Sequence, residues 1–437
     1  MLIQRLMSDP RPALDELRAD FGPVVGLGAG PMRMAVVGDP AALRQLFALG
    51  TEPFRWGHRF NVLGFVVGSS SLIVSDGAEW KRRRSAVRSG FSRRRLNGWV
   101  DSIVGQTDRR VDAILARTGG QPAPVDLYRD GRELVQEIVV RAMFGAPLAE
   151  RAPEIAGLFQ SSQDYLESPF YRQLPHPLPV GRRHEVRTDL AALRAIVDER
   201  IRQVRAQPTP DPLDVLATLV TDGDLSDDEI SDQVITLMGA GMDTTSASLA
   251  WMLWCTALAG PALWSRLRAE ADAVLTGDGG FDASHLARLD LAARVMRETT
   301  RLHPAGSFSP RMAHADVEVG GYRIPAGTLI LWSAHLAGRD PSAWARPLEF
   351  DPDRFVDLEP DRAALADAAW APFGGGARNC IGFALAQMEL TLILARLAQR
   401  LDLEPVATAM PRAVGMVVNR PEGGAPMRVA PRGAARS

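Results

Sequence analysis

Cys380 closes the segment Phe373-Gly374-Gly375-Gly376-Ala377-Arg378-Asn379-Cys380-Ile381-Gly382. Three consecutive glycines let a backbone turn tightly and approach a flat ligand closely. The cysteine stands where the loop enters a helical pattern. Loop N–H groups and the helix dipole can stabilise a thiolate there. No histidine or second cysteine lies nearby to complete a tetrahedral zinc site. A lone thiolate can be the one protein ligand of a haem iron, and Arg378 could neutralise a haem propionate. A buried structural cysteine behind a flexible loop is the competing reading.

The pattern F-x-x-G-x-R-x-C-x-G is met at all five fixed positions, Phe373, Gly376, Arg378, Cys380 and Gly382. For this composition a chance match is on the order of 10⁻⁴. The segment resembles the haem-ligand loop of the cytochrome P450 superfamily, and the resemblance extends from Phe21 to the C-terminus. It implies haem b with Cys380 as axial thiolate and iron ligand. It also places Phe373, Gly374, Arg378 and Gly382 against the cofactor.

Other landmarks of that family occur in order. Glu298-Thr299-Thr300-Arg301 matches its E-x-x-R helix, and charges at i,i+3 share one helix face. The resemblance adds Arg354, within Phe350–Phe355, to a buried ion network with Glu298 and Arg301. Gly239-Ala240-Gly241-Met242-Asp243-Thr244-Thr245 corresponds to the helix segment over the distal face of the haem. Small residues at 240 and 241 leave room for dioxygen. Thr244 can bond a carbonyl one turn earlier and loosen the helix. Asp243 is an acid in an apolar helix, costly without a task. The pair fits proton delivery during dioxygen reduction, with Asp243 relaying protons and Thr244 holding oxygen or a water. The plainer alternative is a helix kink with a satisfied polar pair. Trp80-Lys81-Arg82-Arg83-Arg84 matches the family's W-x-x-x-R pattern, so Trp80 and Arg84 are expected at a propionate. Arg311 resembles another propionate-binding arginine. His303 and His314 read as ordinary polar residues.

Eight basic residues fall within the fifteen from Lys81 to Arg95. A solvated basic face is the default for such a run. No aromatic interleaving or motif supports nucleic acid. By resemblance this stretch borders the cysteine side, where an acidic ferredoxin or flavodoxin type donor would dock.

The elements needed to position these residues are mostly helical, with a small β component near both ends. Val24–Leu27 and Met32–Val37 read as strands around a glycine-rich hairpin. Helical patterns cover Pro40–Leu49, Trp80–Ser89, Leu134–Phe144, Arg182–Arg205 and Pro212–Val220. Ser226-Asp227-Asp228-Glu229 is a capping sequence that opens a long apolar helix to about Leu258. Further helices are expected over Leu289–Leu302 and Ile381–Leu401, and short strands over Val317–Val319, Tyr322–Ile324 and Thr328–Leu331. Pro175–Pro179 reads as a loop. The resemblance implies the cytochrome P450 fold, with haem between the long distal helix and the cysteine-loop helix.

The chain has 437 residues, 46% hydrophobic and 23% charged, which excludes wholesale disorder. A net charge of −2 supplies no global attraction to nucleic acid or anionic membrane. Two cysteines, Cys255 and Cys380, cannot build a disulfide framework or a cysteine-rich metal site. Residues 1–18 contain neither a signal-peptide core nor an anchor, and the uncharged stretch Ala247–Trp264 reads as a buried helix. One haem domain over residues 1–437 without a fused reductase is expected, as a soluble cytoplasmic monomer. The resemblance implies a monooxygenase inserting one oxygen atom from dioxygen into an apolar substrate, with electrons from separate proteins. A peroxide-driven or non-oxygenating haem-thiolate enzyme is the alternative, and a haem-binding sensor a more distant one. By the same resemblance the pocket is expected to include Trp56, Phe60, Phe65, Tyr165, Phe308 and Met416, without an evident fixed charge.

Overall fold

The computed structural model describes residues 5–6, 9–57, 62–168, 173, 181–277 and 279–433. Phe60 and the Pro175–Pro179 loop lie outside the described residues. The longer helices are α1 (Pro10–Phe21), α2 (Pro40–Ala48), α3 (Gly77–Ser89), α4 (Arg93–Arg117), α5 (Leu127–Phe144), α6 (Ala152–Leu166), α7 (Arg182–Ala206), α8 (Val215–Asp222), α9 (Asp227–Leu258), α10 (Pro261–Val274), α11 (Asp290–Leu302), α12 (Pro360–Ala369) and α13 (Phe383–Arg400).

The principal sheet has the order β1-β2-β8-β5-β3, from Val24–Leu27, Met34–Val37, Leu329–Trp332, Ser309–Ala313 and Phe54–Arg55. β1 and β2 form the antiparallel hairpin, while β2 and β8 run parallel. A short 3₁₀ turn at Gly30–Met32 delays the second strand to Met34. β4 (Ala123–Asp126), β12 (Pro426–Pro431) and β9 (Leu401–Pro405) make a second sheet, and β6 (Val317–Val319) and β7 (Tyr322–Ile324) a hairpin. The remaining pair is β10 (Ala413–Val414) with β11 (Arg420–Pro421).

Local chemistry explains the helix starts. The Ser226 hydroxyl accepts from Glu229 N, and the Glu229 carboxylate accepts from Ser226 N, closing a capping box on α9. α8 begins at Val215 rather than at Pro212 because the Asp214 carboxylate accepts from Ala217 N at 2.8 Å. α5 starts a turn and more before Leu134, where Asp126 caps it through Tyr128 N. Apolar periodicity is weakest over that charged first turn, which hid it. The stretch Ala247–Trp264 does not continue straight. α9 stops at Leu258, Pro261 opens α10, and the two axes bend by 117°. No single helix among the described residues is long and apolar enough to cross a membrane.

α9 is apolar on nearly all sides and lies in the main core with α5, α10, α11 and α13. Such a helix is expected to be enclosed all round. α13 begins at Phe383, later than the expected Ile381. Gly376–Arg378 forms a 3₁₀ turn, and Cys380 lies between that turn and α13, at the loop-to-helix junction the sequence indicates.

Candidate active site

The cysteine loop is shaped by its glycines. Gly374 and Gly376 have φ of +71° and +64°, a region that disfavours side chains. A Cβ at Gly375 would overlap the Phe47 ring. Phe373 anchors the loop start, with its ring 4.8 Å from Phe383 and 5.7 Å from Trp370. Cys380 N donates to Phe373 O at 2.8 Å and closes the turn. The Cys380 side chain is accessible. Burial of its surroundings raises the thiol pKa, while the amides of Gly382 and Phe383 and the Arg84 guanidinium lower it. Those three groups favour a thiolate. By contrast Cys255 is enclosed, and burial pushes its thiol up to about 12.

Cationic side chains gather beside the loop. Arg378 donates to Leu72 O at 3.0 Å and Ser75 O at 2.6 Å, and pairs with Asp76 at 3.3 Å. Its guanidinium lies 3.9 Å from the Trp56 ring centre and 4.2 Å from that of Trp80. Arg311 is 3% exposed. Among the described residues it has neither a hydrogen bond nor an ion pair, only the rings of Phe47, Phe54 and Trp56. Burial lowers the pKa of Arg378 to about 9 and of Arg311 to about 10. Trp80 Nε1, Arg311 Nε and Arg378 Nε are buried donors without a partner. Arg84 is engaged by the loop itself, donating to Asn379 O at 2.7 Å and Asn379 Oδ1 at 2.6 Å.

α9 supplies the other side. Between Ile230 and Thr256 nearly every residue is buried, except Gly239, Ala240, Gly241 and Thr244. Thr244 Oγ1 donates to Ala240 O at 2.7 Å. Asp243 is buried, and desolvation raises its pKa against the opposing guanidiniums of Arg132 and Arg420. Arg132 Nε lies 3.9 Å from Asp243 Oδ1. Sequence reasoning missed Arg132, because nothing in the helical pattern of α5 distinguishes it from a surface arginine.

Behind the loop, Glu298 and Arg301 pair at 2.8 Å with both side chains fully buried, and Arg354 Nε reaches Glu298 at 2.7 Å. Arg301 also donates to the carbonyls of Gly338, Pro347 and Glu349. Arg354 donates to Ala345 O and Glu349 O. Every charge in this triad is hydrogen-bonded, the condition under which a buried ion network is tolerable. His303 stacks on Trp251 with ring centres 4.0 Å apart.

The aromatic expectations need revision. Trp56 is occupied by Arg378 and Arg311 and belongs to the cationic cluster. Tyr165 is fully buried, and its hydroxyl donates to Gln173 O. Arg183 lies 3.8 Å over Phe65 and donates to the Tyr165 hydroxyl, so a fixed charge stands beside that pair after all.

These residues suit haem b. The buried Arg311 guanidinium and the half-buried Arg378 have one carboxylate, Asp76, among the described residues, so the pair can take up anions, and haem carries two propionates. Thr244 and the three small residues form the accessible gap in α9, where a flat ring and dioxygen need room. Among the described residues no cluster of three or more His, Cys, Asp or Glu could hold a different metal centre. The site defines a haem-thiolate protein.

The chain belongs to the cytochrome P450 family. The family model "Cytochrome P450" matches residues 2–424. Cytochrome P450 139 of Mycobacterium tuberculosis is 33% identical, over 92% of this chain and 93% of that protein. Pentalenene oxygenase of Streptomyces avermitilis is 30% identical, covering 94% and 91%. A retinoic acid-bound cyanobacterial P450 has the same fold, with a TM-score of 0.85 at 23% identity, covering 98% and 96%. The protein is a cytochrome P450 monooxygenase of a haem-thiolate family that uses dioxygen, an organic substrate and electron donors.

Proposed function

We propose that this P450 oxygenates a largely apolar cyclic substrate of the terpene type, with Cys380 as the thiolate ligand of its haem. The buried, carboxylate-poor arginine cluster beside Cys380 carries the site reading. The substrate class rests on relatives named pentalenene oxygenase, cyclooctatin synthase and cyclooctat-9-en-7-ol 5-monooxygenase, at 30–31% identity. Haem supplies dioxygen activation when bound. Arg311 and Arg378 neutralise its carboxylates, and Trp80 Nε1 is the neutral donor among them. Arg84 favours the thiolate through space. Thr244 Oγ1 donates to the Ala240 carbonyl at the accessible stretch of the unbroken α9, and Asp243 would pass protons toward that stretch.

Electrons come from a separate acidic protein of the ferredoxin or flavodoxin type. Much of the basic run is already neutralised: Lys81 pairs with Glu52, Arg82 and Arg83 with Glu229, and Arg94 with Asp211. Arg84 and Arg95 are held by neutral groups, Asn379 and the Pro212 and Ser89 carbonyls, and the docking charge concentrates on Arg88 and Arg93, which carry no carboxylate partner among the described residues.

Two experiments test this reading. Titrating ferric enzyme with cyclic terpene hydrocarbons should produce a low- to high-spin change. A response confined to charged or polar compounds would overturn the substrate class. Cys380→Ala should abolish the thiolate-type spectrum of the reduced carbon monoxide complex. Its survival in that variant would sink the ligand assignment.

A further inference from the structure

Residues 68–76 form a strap bonded to both sides of the site. On the α9 side, Ser70 N donates to Asp232 Oδ2 at 2.9 Å and Leu72 N to Gln233 Oε1 at 2.9 Å. Gln233 Nε2 returns a bond to Ser70 O at 2.6 Å. Thr236 Oγ1 lies 2.8 Å from Ser71 Oγ. Arg194 of α7 pairs with the same Asp232. Gly68 packs so closely, at φ +86°, that a Cβ would overlap the Asp232 carboxylate. On the other side, Arg378 of the cysteine loop holds Leu72 O and Ser75 O. Leu72 is therefore bonded through its N–H to α9 and through its carbonyl to the cysteine loop.

Glu229, Asp232, Gln233 and Thr236 share one face of α9 by helical spacing. Continuing that face by the same steps reaches Gly239, Ala240, Asp243 and Thr244. Within the polar half Asp232, Gln233 and Thr236 grip the strap while Glu229 pairs with Arg82 and Arg83, and the small-residue half is the accessible stretch. Gln233 is fully buried and uses both ends of its amide on the strap backbone. A buried primary amide bonded at both ends to main chain specifies position more than it adds stability.

We infer that Gln233 is a specificity-determining positioning residue: through the strap it fixes one wall of the ligand space between α9 and the cysteine loop. The inference rests on the reading that haem occupies that space. Size selection then depends on Gln233 even though its role is to hold Ser70 and Leu72, which a purely apolar side chain cannot do.

The test uses the ferric holoenzyme with two iron-binding probes of different size, imidazole and 4-phenylimidazole. Gln233→Leu has nearly the same shape and lacks both bonds. Gln233→Glu keeps the acceptor for Leu72 N and loses the donor to Ser70 O. Thr236→Val is a milder variant that loosens the neighbouring strap contact if Gln233→Leu fails to load haem. Loss of two buried bonds should speed hydrogen exchange across 68–76 by about tenfold. It should also change the ratio of the two probe affinities by about tenfold, with the thiolate-type carbon monoxide spectrum retained. Gln233→Glu should fall between wild type and Gln233→Leu. An unchanged affinity ratio, or unchanged exchange, with an intact spectrum overturns the inference. Absence of a thiolate-type spectrum in the wild type overturns the haem reading itself, a result distinguishable from the first.

Discussion

Arg311 and Arg378 lie against the same indole ring, with their guanidinium carbons 5.3 and 3.9 Å from the centre of Trp56. Among the described residues Asp76 is the one carboxylate paired with either. Two like charges held this close and this dry oppose folding unless an anion joins them. Propionates of the family's cofactor would meet that requirement, and folding and cofactor binding would then be linked at this point.

Replacing Arg311 by Met should therefore act oppositely on the two forms. The apoprotein should gain on the order of 1–3 kcal/mol, because an unpaired buried charge is removed. The holoenzyme should lose haem more readily. Urea unfolding of apoprotein and haem transfer to a scavenging apoglobin measure the two effects.

Breaking the triad behind the cysteine loop should cost more. Arg354→Ala leaves Glu298 buried with one partner fewer, a change worth about 3–5 kcal/mol. Haem incorporation during expression and the thermal midpoint should both fall, and surface pairs such as Arg346–Glu349 should show no comparable loss when cut.

Glu389 predicts a pH dependence. It is enclosed in α13, its Oε1 has no partner, and burial raises its pKa from 4.5 to about 8. The folded chain keeps this proton between about pH 4.5 and 8, where the unfolded chain releases it. The associated stability is full below the lower value and is lost as pH rises through the upper one. The slope for one proton approaches about 1.4 kcal/mol per pH unit. Glu389→Gln should flatten the apoprotein stability curve between pH 5 and 8, and an unchanged slope would contradict the neutral carboxyl.

Thr244→Ala should retain haem and its carbon monoxide spectrum. Product per donor electron should fall by about tenfold or more, as expected when a positioned proton path is lost. Hydrogen peroxide should rise in compensation. Assaying product and peroxide together separates this from a general loss of activity.

Charge reversal at Arg88 and Arg93 should raise the donor KM by roughly threefold to tenfold, with kcat nearly unchanged at saturating donor. Reversal at Lys81, already paired with Glu52, should do less. Reduction rates measured against ionic strength would show whether these charges steer the donor.

The motifs that carry the family resemblance were legible because they depend on residue type and short-range spacing. Cys380 with its glycines, Glu298 with Arg301, and Asp243 with Thr244 each lie within one loop or one helical turn. The Ser226–Glu229 capping box and the hairpin of β1 and β2 are local in the same sense. Tertiary structure decided what depends on distant partners. Arg132 meets Asp243 across 111 positions, Trp56 is claimed by Arg378 and Arg311, and Leu72 joins Gln233 to Arg378. Periodicity records which face of an element is apolar, but not which polar side chain from another element arrives opposite it. Hence the cysteine-loop motif, the helical class and the family could be read from the chain alone. The buried Arg311 without an ionic partner among the described residues, and the strap, became visible only in the packed chain.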